Sequence, residues 1–129
     1  MNRSVLLVSL VAGLALFGQR PNTPRGMYCG GNQLVDMGLL RAESVSGSVA
    51  DPAGSAIPRA RIQVQIQGDE RILHDIVANE KGKFHLMSLR PGVYWLGISS
   101  PGFNLHFWEL RVLRDAGAKT MRVKLSLGT

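Results

Sequence analysis

Cysteine and charge are scarce in this sequence of 129 residues. Its one cysteine, Cys29, cannot close a disulfide within the chain, so it either stays free in a linker or pairs between chains. Charged residues make up 19%, which excludes a disordered protein dominated by charge. No segment sustains a helical period, which excludes a long coiled coil. The chain contains 15 glycines and 6 prolines, and this number predicts many turns within one modest domain.

The apolar run from Val5 to Phe17, 13 residues without a charge, is too short to cross a membrane comfortably. A spanning helix needs about 20 residues. A short apolar run after a positive residue, here Arg3, is typical of a secretory signal peptide. We predict a signal peptide over 1–18, export to the periplasm or the cell exterior, and no stable membrane span after cleavage. A buried N-terminal helix or an uncleaved anchor is the alternative.

The formal net charge of +6 favours anionic partners such as lipid headgroups, acidic glycans or nucleic acid. The positive residues are scattered, however, with no run of three and no helix to collect them into a stripe. Export also removes most nucleic acid from reach. We therefore expect a protein or a glycan of the cell envelope as partner, and no nucleic acid.

Residues 19–43 are predicted to form a flexible leader, because proline and glycine interrupt every period. From residue 44 onward apolar and polar residues alternate, as in strands that bury one face. The alternation is clearest in 60–67 and 120–127. Five further segments, two of them less regular, are 44–49, 71–78, 83–87, 93–98 and 103–113. Seven short strands separated by turn residues predict an all-β fold over 44–129, a seven-stranded antiparallel Greek-key β-sandwich.

Four pieces of the sequence resemble a known family when taken in order. Residues 47–62 resemble the opening of a carboxypeptidase regulatory-like domain, and 79–84, 89–94 and 101–103 resemble its later turns. The resemblance covers about residues 44–127. It implies a transthyretin-like, Ig-like sandwich, commonly attached to exported enzymes and surface proteins as a non-catalytic module.

The shared residues have a structural role at turns. Glycines there supply backbone angles that a Cβ resists, a proline presets the turn, and an aspartate can hydrogen-bond its own turn backbone. The predicted turn residues are Asp51, Gly54, Gly82, Pro91, Gly92 and Gly102.

Residue combinations typical of an active site are not evident. No two of His74, His85 and His106 lie within ten residues, so only folding could bring them into a zinc or nucleophilic site. The C-terminus lacks the Tyr-Arg-Gly-Ser tetrapeptide of the hydroxyisourate hydrolases, which share the transthyretin-like fold. We expect no catalytic residue, no metal and no cofactor. A small hydrolase-type enzyme with a His/carboxylate site is the alternative.

The candidate binding surface is aromatic. If the strand ending at Met87 and the strand starting at Val93 form a hairpin, Met87 and Trp95 share its outer face, beside the outward-facing His85. Trp108 follows from the next long strand. Exposed tryptophan can stack on a sugar ring or anchor a protein interface. These residues predict a non-catalytic module that binds or assembles with envelope proteins or glycans, unless residues 34–40 cover the face. The predicted binding residues are Trp95, Trp108, His85 and Met87.

Overall fold

The computed structural model of the protein describes residues 23–27, 33–86 and 89–128. Their strands form two sheets, one of five strands in the order β1-β7-β6-β3-β4 and one of three in the order β5-β2-β8. The predicted all-β sandwich is confirmed. Its strands are β1 (Leu34–Ala42), β2 (Ser44–Ala50), β3 (Arg61–Ile66), β4 (Ile72–Val77), β5 (Lys83–Leu86), β6 (Gly92–Ser99), β7 (Leu105–Val112) and β8 (Ala118–Lys124).

Two chain segments cross between the sheets side by side. β1 continues into β2 after Glu43, and β7 continues into β8 through the turn at 113–117. The Glu43 N–H donates to the Gly117 carbonyl at 2.7 Å, and the Leu113 N–H donates to the Ala42 carbonyl at 3.0 Å. Because both segments run in the same direction, β1 pairs with β7 and β2 pairs with β8 in parallel. The prediction of a wholly antiparallel sandwich is wrong at these two ladders.

β1 is an eighth strand, so the predicted count of seven is one too few. In place of a flexible leader, 34–42 pairs with β7 from Leu34 opposite Leu105 to Ala42 opposite Val112. The exposed fractions of Leu34, Met37 and Leu39 are between 43% and 45%, so β1 buries no regular face. This segment is a strand because its backbone pairs with that of β7. Backbone hydrogen bonds do not depend on the side chains, so this strand needs no alternation of apolar and polar residues.

The hydrophobic core lies between the two sheets and takes every second residue from most strands. Burial of each large side chain contributes about 1.5–3 kcal/mol before chain entropy is subtracted. The three-stranded sheet contributes Val45, Val49, Phe84, Leu86 and Val123, and the five-stranded sheet contributes Ile62, Val64, Leu96, Ile98, Trp108 and Leu110.

The turn after β2 is held by Asp51. Its Oδ1 accepts the N–H groups of Ala53 and Ser55, each at 2.9 Å, and its carbonyl accepts the N–H of Gly54 at 2.9 Å. An aspartate that satisfies three turn positions in this way makes the turn specific for its sequence.

Three of the four predicted turn glycines have positive φ angles, whereas Gly92 does not. Gly92 begins β6 directly after the exposed Pro91 and pairs with Val112, so it adopts strand geometry. The expectation of an unusual backbone angle at Gly92 is therefore wrong. The φ angles of the other three are 92° at Gly54, 73° at Gly82 and 85° at Gly102.

Candidate functional site

Trp95 lies on the outer face of the five-stranded sheet, turned away from the core. In the ladders it stands opposite Gln65 of β3 and Glu109 of β7. Its ring meets Phe107 edge to face, with centroids 5.6 Å apart and an interplanar angle of 83°. Phe107 is only 1% exposed, so this contact holds the half-exposed indole in one orientation.

A cleft of about 270 Å³ opens beside Trp95, and we call it the Trp95 cleft. The indole is the one aromatic group of its lining, and the remaining side chains are polar or charged. An aromatic plane next to hydrogen-bonding groups suits a ligand that has both apolar faces and hydroxyl groups. The polar lining residues are Thr23, Arg25, Gln65, Gln67, Asp69 and Glu70.

Gln65 binds the backbone of Arg25 and so holds residues 23–27 against the sheet. Thr23 and Arg25 of this segment line one side of the cleft. The Gln65 Nε2 donates to the carbonyls of Arg25 and Glu70, the latter at 3.0 Å, and its Oε1 accepts the Arg25 N–H at 3.4 Å. With 1% exposure, the amide is fully buried by these contacts. The Arg25 guanidinium and the Glu70 carboxylate are 3.9 Å apart but exposed, so their attraction adds little.

Gln67 lines the cleft and holds a buried donor without a partner among the described residues. This donor is its Nε2. A buried amide left without a partner costs about 1–3 kcal/mol. A rotation of the Gln67 amide toward the cleft would let a ligand oxygen accept from this nitrogen and recover that free energy.

Asp69 supplies the cleft with an ionised acceptor. Its Oδ2 lies 2.8 Å from the Arg71 Nη2, and its Oδ1 accepts the Arg71 N–H at 2.9 Å. The side-chain hydrogen bond from Arg71, followed by the backbone one, holds the pKa of Asp69 below its usual range. The carboxylate is therefore charged at neutral pH and can accept hydrogen bonds from hydroxyl groups.

Residues 44–126 match one protein family. The match is with the family model of the carboxypeptidase regulatory-like domain, from β2 to just after β8. The chain belongs to this family. The resemblance found in the sequence is thereby confirmed. β1 and residues 23–27 precede the matched region.

Solved structures are similar to this carboxypeptidase regulatory-like domain at low identity. A 5-hydroxyisourate hydrolase from Klebsiella pneumoniae is 15% identical with a TM-score of 0.52, over 67% of this chain and 92% of that one. A Bacteroides uniformis protein named for carbohydrate binding is 16% identical with a TM-score of 0.49, over 65% of this chain and 40% of that one. An Acinetobacter catechol 1,2-dioxygenase is 11% identical with a TM-score of 0.44, over 96% and 69%. At these identities the likeness concerns the fold alone. No curated protein matches the chain significantly.

The four binding residues predicted from the sequence do not come together in the carboxypeptidase regulatory-like domain. Trp108 stands opposite Leu96 in the ladder, and direct partners point to the same face, so Trp108 lies in the core with 7% exposure. His85 is on β5, which pairs with β2 in the other sheet, so the predicted hairpin with β6 is wrong. Met87 lies outside the described residues. Trp95 alone of the four lines the cleft.

Sequence reasoning missed the polar residues around Trp95. The segment 23–27 reaches the cleft through contacts between Arg25 and Gln65, 40 positions apart, and no local pattern signals such a contact. The alternating glutamines Gln63, Gln65 and Gln67 are a usable signal, because three amides on one face of a strand suggest a hydrogen-bonding surface.

The three histidines lie on three different strands, His74 on β4, His85 on β5 and His106 on β7. His106 is 4% exposed, its Nε2 accepts the Ser126 N–H at 3.0 Å, and its Nδ1 lies 3.3 Å from the Met37 Sδ. Over 23–27, 33–86 and 89–128, no three His, Cys, Asp or Glu side chains are placed to hold a metal ion. Those same ranges contain no helix long and apolar enough to cross a membrane.

His106 makes the stability of the domain sensitive to acid. Burial lowers the pKa of His106 below its ordinary value of 6.5. As the pH falls below 6.5, the unfolded chain takes up this proton before the native state does, so the free energy of unfolding decreases until the native pKa is reached. We expect urea unfolding to show this loss in the wild type and a smaller loss in His106→Gln.

The exposed His85 provides the matched control for that measurement. His85→Gln should keep the full acid-dependent loss, because it leaves the hydrogen bond between His106 and Ser126 in place. Equal pH profiles for the wild type and His106→Gln would contradict the assignment.

Proposed function

We propose that this carboxypeptidase regulatory-like domain is an exported, non-catalytic module that binds a glycan of the cell envelope in the Trp95 cleft. The observation that carries the proposal is the half-exposed indole of Trp95, fixed by Phe107 beside a polar wall. A sugar ring presents an apolar C–H face that can stack on the indole. Its hydroxyl groups can donate to the Asp69 carboxylate, and can accept from the Gln67 Nε2 once that amide turns toward the cleft.

The size of the cleft favours a sugar unit over a protein surface. Its volume of about 270 Å³ is just below the range of pockets that hold drug-sized ligands. A specific protein interface buries about 800 Å² on each partner, usually around an apolar centre. The Trp95 cleft contains a single aromatic ring, which is sufficient for stacking one sugar.

Two observations support a non-catalytic role. His106 directs its ring nitrogens at Ser126 and Met37, neither of which can act as an orienting carboxylate. The carboxylate of Asp69 is bound by Arg71, and none of the hydrogen bonds described for Asp69 involves a histidine. A hydrolase with a His/carboxylate site would need such a pair within hydrogen-bond reach.

Export is supported by the signal-like residues 1–18.

Trp95→Ala tests the proposal directly. Loss of a stacking aromatic at the centre of a small site is expected to weaken glycan retention about tenfold or more. Protein purified after expression of the full chain would be applied to a glycan array, and retained glycans would then be titrated in solution. Far-ultraviolet circular dichroism should stay unchanged, because Trp95 lies outside the core.

Val93→Ala is the matched control, since Val93 is an exposed residue on the same side of β6 that does not line the cleft. It should retain glycan as the wild type does. Unaltered retention by Trp95→Ala would remove the cleft from consideration. Binding of envelope protein that free saccharide fails to displace would favour a protein ligand instead.

A further inference from the structure

The outer side of the three-stranded sheet carries small hydroxyl side chains between two rows of long polar ones. The core takes the alternate residues of each strand, including Val45, Phe84 and Val123. The intervening residues therefore face solvent. They are Ser44, Ser46 and Ser48 on the central β2, Lys83 and His85 on β5, and Thr120, Arg122 and Lys124 on β8.

These residues form a trough, which we call the serine trough, with a low floor and two raised walls. In one ladder row Ser48 stands between Lys83 and Arg122, and in the next Ser46 stands between His85 and Thr120. Neighbouring strands lie about 4.8 Å apart, so the walls are roughly 10 Å apart at the backbone. The three serines are half-buried, whereas the residues of the two walls are exposed. This difference is expected for short side chains flanked by longer ones.

The trough carries three exposed cations that are in none of the ion pairs of the described residues. They are Lys83, Arg122 and Lys124. Carboxylates along β2 occur only beyond its ends, at Glu43 and Asp51. Asp51 already accepts two N–H groups of its own turn. A surface that carries three exposed cations and has carboxylates only beyond the ends of its central strand attracts anions.

The five arginine–carboxylate pairs among the described residues lie outside the trough. Three of them are along β3, β4 and β7 or in the turn between β3 and β4. These three are Arg61 with Asp75, Arg71 with Asp69, and Arg111 with Glu109. Among the described residues, most cations of the five-stranded sheet are therefore paired, with Arg41 on β1 as the exception, whereas those of the serine trough are in none of these pairs. This separation makes the two faces of the sandwich electrostatically different.

We propose that the serine trough binds a linear acidic polysaccharide, one with carboxylate or sulfate groups, laid along β2. The two walls would neutralise charges on either side of the chain, and the serine hydroxyls would hydrogen-bond its oxygens. A trough favours a linear polymer, because a flat membrane surface would touch the walls and miss the floor. Single-stranded nucleic acid is disfavoured, because its binding grooves supply aromatic rings for stacking and this floor is serine.

Retention on immobilised polygalacturonate, with neutral dextran as the uncharged comparison, tests the proposal. The full chain should bind polygalacturonate, bind dextran no better than an empty matrix, and dissociate as salt is raised. The double variant Lys83→Glu/Arg122→Glu reverses both walls in one ladder row. It should lower the affinity roughly tenfold or more, since each cation near an anionic surface contributes appreciably.

Arg41→Glu/Arg114→Glu makes the same change in net charge at exposed positions outside the trough that, like Lys83 and Arg122, are in none of the ion pairs of the described residues. It should keep affinity near that of the wild type. Equal losses in both double variants would show attraction by net charge alone and overturn the site. If the trough double variant fails to fold, Ser46→Asp, which places a negative charge on the floor, replaces it.

Other polyanions provide the remaining outcomes. Binding to phosphatidylglycerol vesicles without retention on polygalacturonate would overturn the glycan in favour of a membrane, and preference for a single-stranded oligonucleotide would overturn it in favour of nucleic acid. Trp95→Ala should leave polygalacturonate retention unchanged, because Trp95 lies on the other sheet. Failure of the Trp95 cleft can therefore be distinguished from failure of the serine trough.

Discussion

Gly82→Ala is expected to lower the free energy of unfolding by about 2–6 kcal/mol, as the sum of two penalties. The first is backbone strain, because Gly82 has a φ of 73°. The second is overpacking, because an added Cβ would lie 2.6 Å from the carbonyl oxygen of Val49. That oxygen belongs to backbone that already accepts the Ile57 N–H at 2.9 Å, so it cannot rotate away. Urea unfolding followed by circular dichroism measures the loss.

Gly102→Ala separates the two penalties. Gly102 has a similar φ of 85°, but a Cβ there would meet no atom within 4 Å. It should lose only the strain contribution of about 1–3 kcal/mol. Equal losses at Gly82 and Gly102 would mean that β2 and the turn before β5 can move apart, contrary to the hydrogen bond from the Val49 N–H to the Gly82 carbonyl at 2.8 Å.

The sandwich could be predicted from the sequence because its strands bury one face. Residues such as Ile62 and Val64, or Val123 and Leu125, alternate with polar neighbours and lie in the core. The physical cause of the pattern, burial between two sheets, is the same as the cause of the fold. The turn residue Asp51 adds a second local signal, since it bonds only to positions two to four residues ahead.

The parallel ladders and the added strand could not be predicted in this way. β1 stands against β7 about 70 residues along the chain, as the bond from the Gln33 N–H to the Asn104 Oδ1 illustrates with a separation of 71. Nothing in the exposed side chains of 34–42 specifies that partner. Residues 23–27 pose the same difficulty, and they decide the shape of the Trp95 cleft.

The candidate site was predicted only in part for a related reason. Alternation assigns a residue to one of two faces but does not say which sheet its neighbours join. Trp95 and His85 both face outward, yet they lie on opposite sides of the sandwich. The two sides of the sandwich therefore present different chemical groups to solvent. One has an aromatic ring among paired charges, and the other has unpaired cations around serines.

Trp108→Ala is expected to lower the free energy of unfolding by about 3–5 kcal/mol, the usual loss for removing a large aromatic side chain from a core. Trp108 packs in the cluster between the sheets, opposite Leu96 in the ladder. The cavity left behind would lie in the close-packed core between the sheets, and the neighbouring side chains would fill it only partly. Urea unfolding of the full chain, with Trp95 as the remaining fluorescent reporter, gives the loss.

Trp95→Ala is the matched comparison, since it removes the same side chain from the other face of the same sheet. Trp95 is half-exposed and outside the core cluster, so its removal should cost well under half of the loss at Trp108 while weakening glycan retention. The two tryptophans thus separate stability from binding. A larger loss of stability in Trp95→Ala than in Trp108→Ala would contradict the assignment of Trp108 to the core and of Trp95 to the outer face. It would also contradict the position of the cleft.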